Sequence, residues 1–378
     1  MPVKLKYPWM GIAIPCFLIS FIAYTAHYFI LLNFLSIGKQ IWFEISVTMI
    51  WISYYLAIYT NPGKPGSNYI PPSNQWKNYC KKCNAYKPER THHCKTCQQC
   101  VLMMDHHCPW TMNCVGYKNF PHFLRFLFWV IVTTTYLLYF LISRIVFLWK
   151  SRNLPSYLFN KSEIIFLTIT TPMDGFVLLT ISLLFIRCTV NQLLSGRTQI
   201  ETWENERLES LFYLRRLKPQ LISNLWEFHP ELKTPDNEAK AEKIVSKRIR
   251  FDLLVSFPYD LGLINNITTV LGSPVTWLWF YGEPSGDGML FKKNEYSLFE
   301  EDSILEDQIL SLPWPPDGGK HGFNIENSST NSIETSTKDG EHVIRKRSPV
   351  SKLLESRTQW YNDWGENLED FGVDIDVE

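Results

Sequence analysis

The chain has no excess charge of either sign: 37 Lys and Arg stand against 37 Asp and Glu in 378 residues. Without an overall basic field no nucleic-acid partner is expected, and neither ββα finger spacing nor a basic recognition helix is present. There is no internal repeat. The first apolar run is too long for a signal peptide, and no small-residue cleavage site follows it. Cysteine is scarce outside one place: of nine, only Cys16 and Cys188 lie beyond Cys80–Cys114. No distant pairs suggest a disulfide framework. Thiols crowded at CxxC spacing belong to a reduced or metal-bound segment, which argues for the cytosolic side of a membrane.

What is abundant is apolar length. Aromatic residues make up 15% of the chain, and apolar residues gather in long runs in its first half. A helical span takes roughly 20 such residues. Trp9 to Leu35 and Ile41 to Tyr59 form a predicted hairpin, and Asn61-Pro62-Gly63 and Lys64-Pro65-Gly66 stop its second helix. His122 to Trp149 is a third span, with Arg125 and Arg144 expected to snorkel to the headgroups. A fourth is expected at Met173 to Leu194, because Thr170 to Gly175 interrupts the run that starts at Ile164. Basic residues are densest between spans two and three (Lys64, Lys77, Lys81, Lys82, Lys87, Arg90, Lys95, Lys118). That segment and both termini are therefore expected in the cytosol, and the sequon at Asn160 in the lumen.

The expected organisation is residues 1–60 as helices 1 and 2, 61–121 as a cysteine-rich zinc domain, and 122–194 as helices 3 and 4. Residues 195–282 would be a cytosolic region packed on the membrane core, and 283–378 a polar, partly disordered acidic tail. Glu201 to Leu217 reads as an amphipathic helix with Trp203, Leu208, Leu211, Phe212 and Leu214 on one face. The last twenty residues carry seven acidic and no basic side chains.

Cys80 with Cys83, and Cys94 with Cys97, are two-sulfur turns of the kind that bind zinc. His93, Cys100, His107 and Cys114 are further donors, and spacing alone does not say which pairs share a metal. Two Cys3His sites would leave Cys108 without a structural task. His106, two residues away, can act as its base or cationic partner, and Asp105 can orient that ring. A non-catalytic, membrane-tethered zinc-binding adaptor is the alternative, but it leaves Cys108 beside Asp105-His106 unexplained. A solute carrier would need partners for Glu44 and Asp174 at the span edges, and none is evident.

Lys87-Pro88, Arg90, His93-Cys94, the run Met104 to Trp110, Asn113 to Gly116 and Asn119 together resemble the cysteine-rich domain of the DHHC family of protein S-acyltransferases. Two spans, that domain and two more spans repeat the family's order over roughly residues 9 to 275. The resemblance implies an α-helical polytopic membrane protein, with four transmembrane helices and a cytosolic two-zinc cysteine-rich domain between helices 2 and 3. It implies that Cys108 takes a fatty acyl group from acyl-CoA (palmitoyl-CoA) and passes it to a cytosolic cysteine of a membrane protein. His106 would activate the thiol and Asp105 orient it. One zinc would sit on Cys80, Cys83, His93 and Cys100, the other on Cys94, Cys97, His107 and Cys114, with the acyl chain between the helices.

Three outlying motifs also resemble the family. Asn61-Pro62-Gly63 stands for Asp-Pro-Gly. Thr198-Gln199-Ile200-Glu201 stands for Thr-Thr-x-Glu without its second Thr. Tyr259, Asp260, Gly262 and Asn266 match a C-terminal motif packed on the membrane core, with Asn266 its buried polar residue. Similarity to fungal endoplasmic-reticulum members implies that membrane, although no terminal KDEL-type or dilysine signal is present. Arg345-Lys346-Arg347 reads as solvated tail.

Overall fold

The computed structural model describes residues 7–247, 249–277, 279–299, 304–319 and 357–377. Most of the stretch expected to be disordered near 318–350, with Arg345 to Arg347, lies outside the described residues. Among the described residues, four helices are long and apolar enough to cross a membrane: Met10–Asn33, Ile37–Tyr59, Phe120–Lys150 and Lys161–Leu194. This is a multi-pass membrane architecture. The regular parts are α1 (Met10–Phe29), α2 (Ile37–Tyr59), α3 (Phe120–Lys150) and α4 (Lys161–Cys188).

The fourth span begins at Lys161, not at Met173 as expected. Its buried stripe of Glu163, Leu167, Thr170 and Asp174 runs at helical spacing straight past Pro172. The hydroxyls of Thr170 and Thr171 bond back to the carbonyls of Phe166 and Leu167 at 2.7 Å each. That pattern lets a buried helix bend around a proline without breaking. Asp174 thus lies inside the helix rather than at a span edge, and Glu44 is paired with His27. At the start of α4 the sequon asparagine is a helix cap: Asn160 Oδ1 accepts from the Ser162 N–H at 3.1 Å.

Neither arginine of α3 snorkels. Arg125 is buried and donates to the carbonyls of Trp277 at 2.8 Å and Gly282 at 2.9 Å. Arg144 pairs with buried Glu163 on α4. A buried guanidinium costs several kcal/mol unless it is bonded, so Arg125 fastens the region after α4 to α3.

Between α2 and α3 the chain folds into three antiparallel hairpins. They are β1–β2 (Tyr79–Cys80 with Ala85–Tyr86), β3–β4 (His92–Cys94 with Gln99–Val101) and β5–β6 (His106–Cys108 with Asn113–Val115). Strands this short do not hold together by themselves. Past α4, a π-helical turn at Thr189–Leu194 leads to α5 (Gln199–Tyr213), capped by a reciprocal Thr198/Glu201 box. α5 stops four residues short of the expected Leu217, which instead opens α6 (Leu217–Phe228). Trp203 and Leu208 are buried on α5, whereas Leu214 is exposed. α7 (Pro235–Ser246), α8 (Leu263–Leu271) and α9 (Leu305–Leu310) follow.

The end of the chain is not a free acidic tail. Leu368, Phe371 and Val373 are buried in one cluster with Ile200, Trp203, Cys94 and Cys114. A few apolar anchors among many carboxylates are enough to bring it onto the cysteine-rich hairpins.

Candidate active site and metal clusters

Side chains alternate between the two faces of a strand, and this alternation sorts the ligands. His93 and Cys94 point opposite ways from β3. On β5, His107 points away from His106 and Cys108. His93 pairs across its hairpin with Cys100, and His107 with Cys114. The hairpin turns bring in the other donors. The Cys83 N–H donates to Cys80 Sγ at 3.4 Å and the Cys97 N–H to Cys94 Sγ at 3.3 Å.

The result is two groups, Cys80, Cys83, His93, Cys100 and Cys94, Cys97, His107, Cys114, each with its donor atoms within 4.8 Å of one another. His93 Nδ1 lies 3.4, 3.3 and 3.7 Å from the sulfurs of Cys80, Cys83 and Cys100. His107 Nδ1 lies 3.7, 3.4 and 3.6 Å from those of Cys94, Cys97 and Cys114. Bonds of about 2.3 Å to sulfur and about 2.0 Å to nitrogen give tetrahedral edges of about 3.5–3.8 Å. Each group could therefore hold one four-coordinate metal ion. The β3–β4 hairpin gives two ligands to each, so it interlocks them.

His106 and Cys108 share the other face of β5. Asp105 is fully buried. Its Oδ2 accepts from His106 Nδ1 at 2.7 Å. Its Oδ1 accepts from Gln192 Nε2 at 2.7 Å and from the Gln199 backbone N–H at 2.9 Å. With Nδ1 committed to Asp105, Nε2 is left for the thiol two residues on, along the same face of β5. Burial disfavours the imidazolium, but Asp105 and Cys108 outweigh it and raise His106 to about 10. Burial likewise opposes the Cys108 thiolate, yet the hydrogen bond and charge of His106 bring the thiol below its ordinary value. Both shifts favour a thiolate beside an imidazolium, with the ring oriented by a carboxylate.

Cys108 is only 4% exposed and packs with Ile50, Tyr54, Phe123 and Leu127, with Ile19 of α1 and Ile181 of α4 against the same cluster. The sulfur therefore sits where the polar hairpin meets the apolar interior of all four helices. Tyr54 Oη donates to the Trp110 carbonyl at 2.7 Å. Asn113, the cross-strand partner of Cys108, donates to the carbonyls of Ile58 and Thr60 at 3.0 Å each, closing the open end of α2.

A family model for the DHHC palmitoyltransferase matches residues 73–206, from just before β1 into α5. Palmitoyltransferase PFA4 of Saccharomyces cerevisiae is 60% identical over 379 residues, covering 100% of both chains. The proteins of the same name from Candida glabrata and Eremothecium gossypii are 59% and 54% identical, again over 100% of both chains. The chain belongs to the DHHC palmitoyltransferase family.

The outlying motifs of this DHHC protein act on the site from behind. Asn61 Oδ1 accepts from the Gly63 N–H at 2.9 Å, a bond that an Asp carboxylate would make equally, so the turn survives the exchange. In the Thr198 motif it is the backbone of Gln199 that reaches Asp105. Its side chain turns away to accept from Arg187 Nε at 2.8 Å, so the missing second Thr leaves the contact to Asp105 in place. Glu201 receives both Nε and Nη2 of Arg90 at 2.6 Å, and Arg90 also donates to the Gly196 carbonyl at 2.7 Å. Tyr259 lies under that guanidinium, 4.7 Å from its ring centroid. Buried Asn266 donates to the Leu194 carbonyl at 3.2 Å and accepts from the Leu261 N–H at 2.9 Å.

None of these bonds from Thr198, Glu201, Tyr259 or Asn266 goes to the thiol; they fix the backbone that carries the two donors to Asp105. The sequence reading missed one of those donors, Gln192. Its signal was a polar residue within the last turn of an apolar span, and here it rides on a π-turn, a form that gathers at functional sites. Gln192→Leu is expected to slow self-acylation about tenfold, the loss of about 1.4 kcal/mol of bonding to a buried charge. Single-turnover adduct formation followed by mass, with metal content unchanged, checks it.

Proposed function

We propose that this S-palmitoyltransferase works through a thioester on Cys108, formed from palmitoyl-CoA and passed to a cytosolic cysteine of a membrane-associated protein. The observation that supports it is the position of Cys108, on the same strand face as His106 and packed against the four-helix apolar interior. The Cys108 thiolate attacks the acyl-CoA carbonyl, the new C–S bond forms, and the departing CoA sulfur takes the proton of His106. In the second half, neutral His106 takes the proton of the incoming cysteine, whose sulfur attacks the thioester and releases the Cys108 thiolate. Asp105 holds the imidazole throughout. The acyl chain would lie among Ile50, Tyr54, Phe123, Leu127 and their neighbours, gaining about 0.8 kcal/mol for each methylene removed from water.

Three thiolates and one imidazole in a closed tetrahedron suit zinc, and we assign one structural zinc to each group. Bound there, the two ions supply rigidity and no chemistry. In this reading residues 61–121 form the metal domain, 1–60 and 122–194 the membrane part, and 195–282 its support. The basic segment between spans two and three supports a cytosolic site, and likeness to fungal relatives supports the endoplasmic reticulum.

The test is the intact mass of the purified protein after mixing with palmitoyl-CoA. A hydroxylamine-labile increment of one palmitoyl group is expected, and its absence from protein holding two zincs would sink the proposal. The pH profile tests the pair. The thiol is depressed, so the adduct rate should hold to lower pH than an ordinary thiol allows and fall as pH drops through that lowered value. His106→Ala removes the cation and leaves burial, which raises the thiol. Its acid limb should move to higher pH, with a roughly 100-fold slower rate at neutral pH that recovers in alkali. An unmoved limb would show that His106 does not set the thiol.

A further inference from the structure

The acidic end of the chain has no task in the mechanism above, yet it is built into the hairpins. Val373 forms an antiparallel bridge with Cys94. The Lys95 N–H donates to the Gly372 carbonyl at 3.0 Å and the Asp374 N–H to the His93 carbonyl at 2.8 Å, so the segment adds itself to the edge of β3. Gly372 has φ 84°, and a Cβ there would lie 2.5 Å from His107 Cβ. Glu366 pairs with Arg187 at 3.1 Å and Glu369 with Lys95 at 3.0 Å.

Asp374 is the residue that goes deepest. It is fully buried, and its carboxylate is bonded to Lys82, which sits between Cys80 and Cys83. Its Oδ2 also lies 3.9 Å from His93 Nε2, a buried nitrogen with no hydrogen-bond partner among the described residues. The other ring nitrogen, Nδ1, is the one aimed at three sulfurs. An imidazole that binds metal through one nitrogen keeps its proton on the other, and a carboxylate facing that N–H fixes the ring and strengthens the ligand.

We propose that Asp374 is a positioning residue of the first metal site, orienting His93 through Nε2 and tying the end of the chain to the knot that presents Cys108. The proposal rests on the zinc reading above. The experiment uses the full-length protein in detergent and follows zinc release to an excess chelator with a metallochromic dye. Newly freed thiols are alkylated and mapped by peptide mass.

Asp374→Ala is expected to release one of the two zincs at least about tenfold faster, the size of effect that such outer partners have on metal affinity. The first cysteines labelled should be Cys80, Cys83 and Cys100. Asp374→Asn keeps the shape and an acceptor oxygen, guards against misfolding, and should fall between the two. Lys82→Gln should stay close to wild type. Release of both zincs at the wild-type rate from Asp374→Ala overturns the proposal. So does equal acceleration at both sites with all six ligand cysteines labelled together, which would mean packing alone, and so does a Lys82→Gln effect as large as that of Asp374→Ala. Wild-type protein that holds no zinc would overturn the zinc reading and this proposal with it, whereas the other failures leave the zinc reading standing.

Discussion

Cys108→Ser is expected to abolish the hydroxylamine-labile adduct and to lower palmitoyl transfer by about a thousandfold or more, the scale on which removal of a nucleophile is felt. A hydroxyl is far harder to ionise than a thiol, so the His106 cation that stabilises a thiolate has no corresponding anion to hold. The same variant should keep both metals, because Cys108 belongs to neither ligand group. Oxygen for sulfur also leaves the β5–β6 backbone pairing and the Tyr54 contact unchanged in kind. Intact mass, metal analysis and a melting curve on one preparation check all three statements. An adduct of wild-type size on the variant would move the chemistry to another thiol. Cys188, buried in the same cluster as Cys108, would then be the first peptide to map.

What could be read from the sequence was whatever local pattern determines. Three spans follow from unbroken apolar runs and the two-sulfur turns from CxxC spacing, while the sorting of the donors into two groups came from the family resemblance. The division of labour in His106-His107-Cys108 follows from strand alternation once β5 is known to be a strand. The start of α4 was misread because its inward stripe is polar at three of four positions, Glu163, Thr170 and Asp174, so hydrophobic periodicity does not mark it. Arg125 was read as snorkelling because its acceptors, the carbonyls of Trp277 and Gly282, lie 152 and 157 residues away. Gln192 meets Asp105 across 87 residues and Asp374 meets Lys82 across 292. Contacts of that separation leave no trace in composition or period. The acidic end looked solvated because carboxylates outnumber Leu368, Phe371 and Val373, although those few side chains decide where it packs.

Cys114→Ala is expected to lose activity by a different route. The variant keeps Asp105, His106 and Cys108, but it removes one donor from the group that contains His107, the residue between the two reactive ones. Structural zinc in small domains contributes about 10–16 kcal/mol of apparent binding free energy, against a net folding stability of about 5–15 kcal/mol for a typical protein. The β5–β6 hairpin, three residues in each strand, is too short to keep its shape on backbone pairing alone. Metal content should fall from two ions to one, proteolysis should open the chain between α2 and α3, and no adduct should form with palmitoyl-CoA. The helices, which bury their own apolar faces, should retain their circular dichroism. Loss of adduct with both metals present, as for Cys108→Ser, marks a residue of the chemistry, and loss of adduct with one metal marks a residue of the scaffold. A Cys114→Ala protein that holds one zinc and still acylates at the wild-type rate would show that the ion beside His107 does not present Cys108.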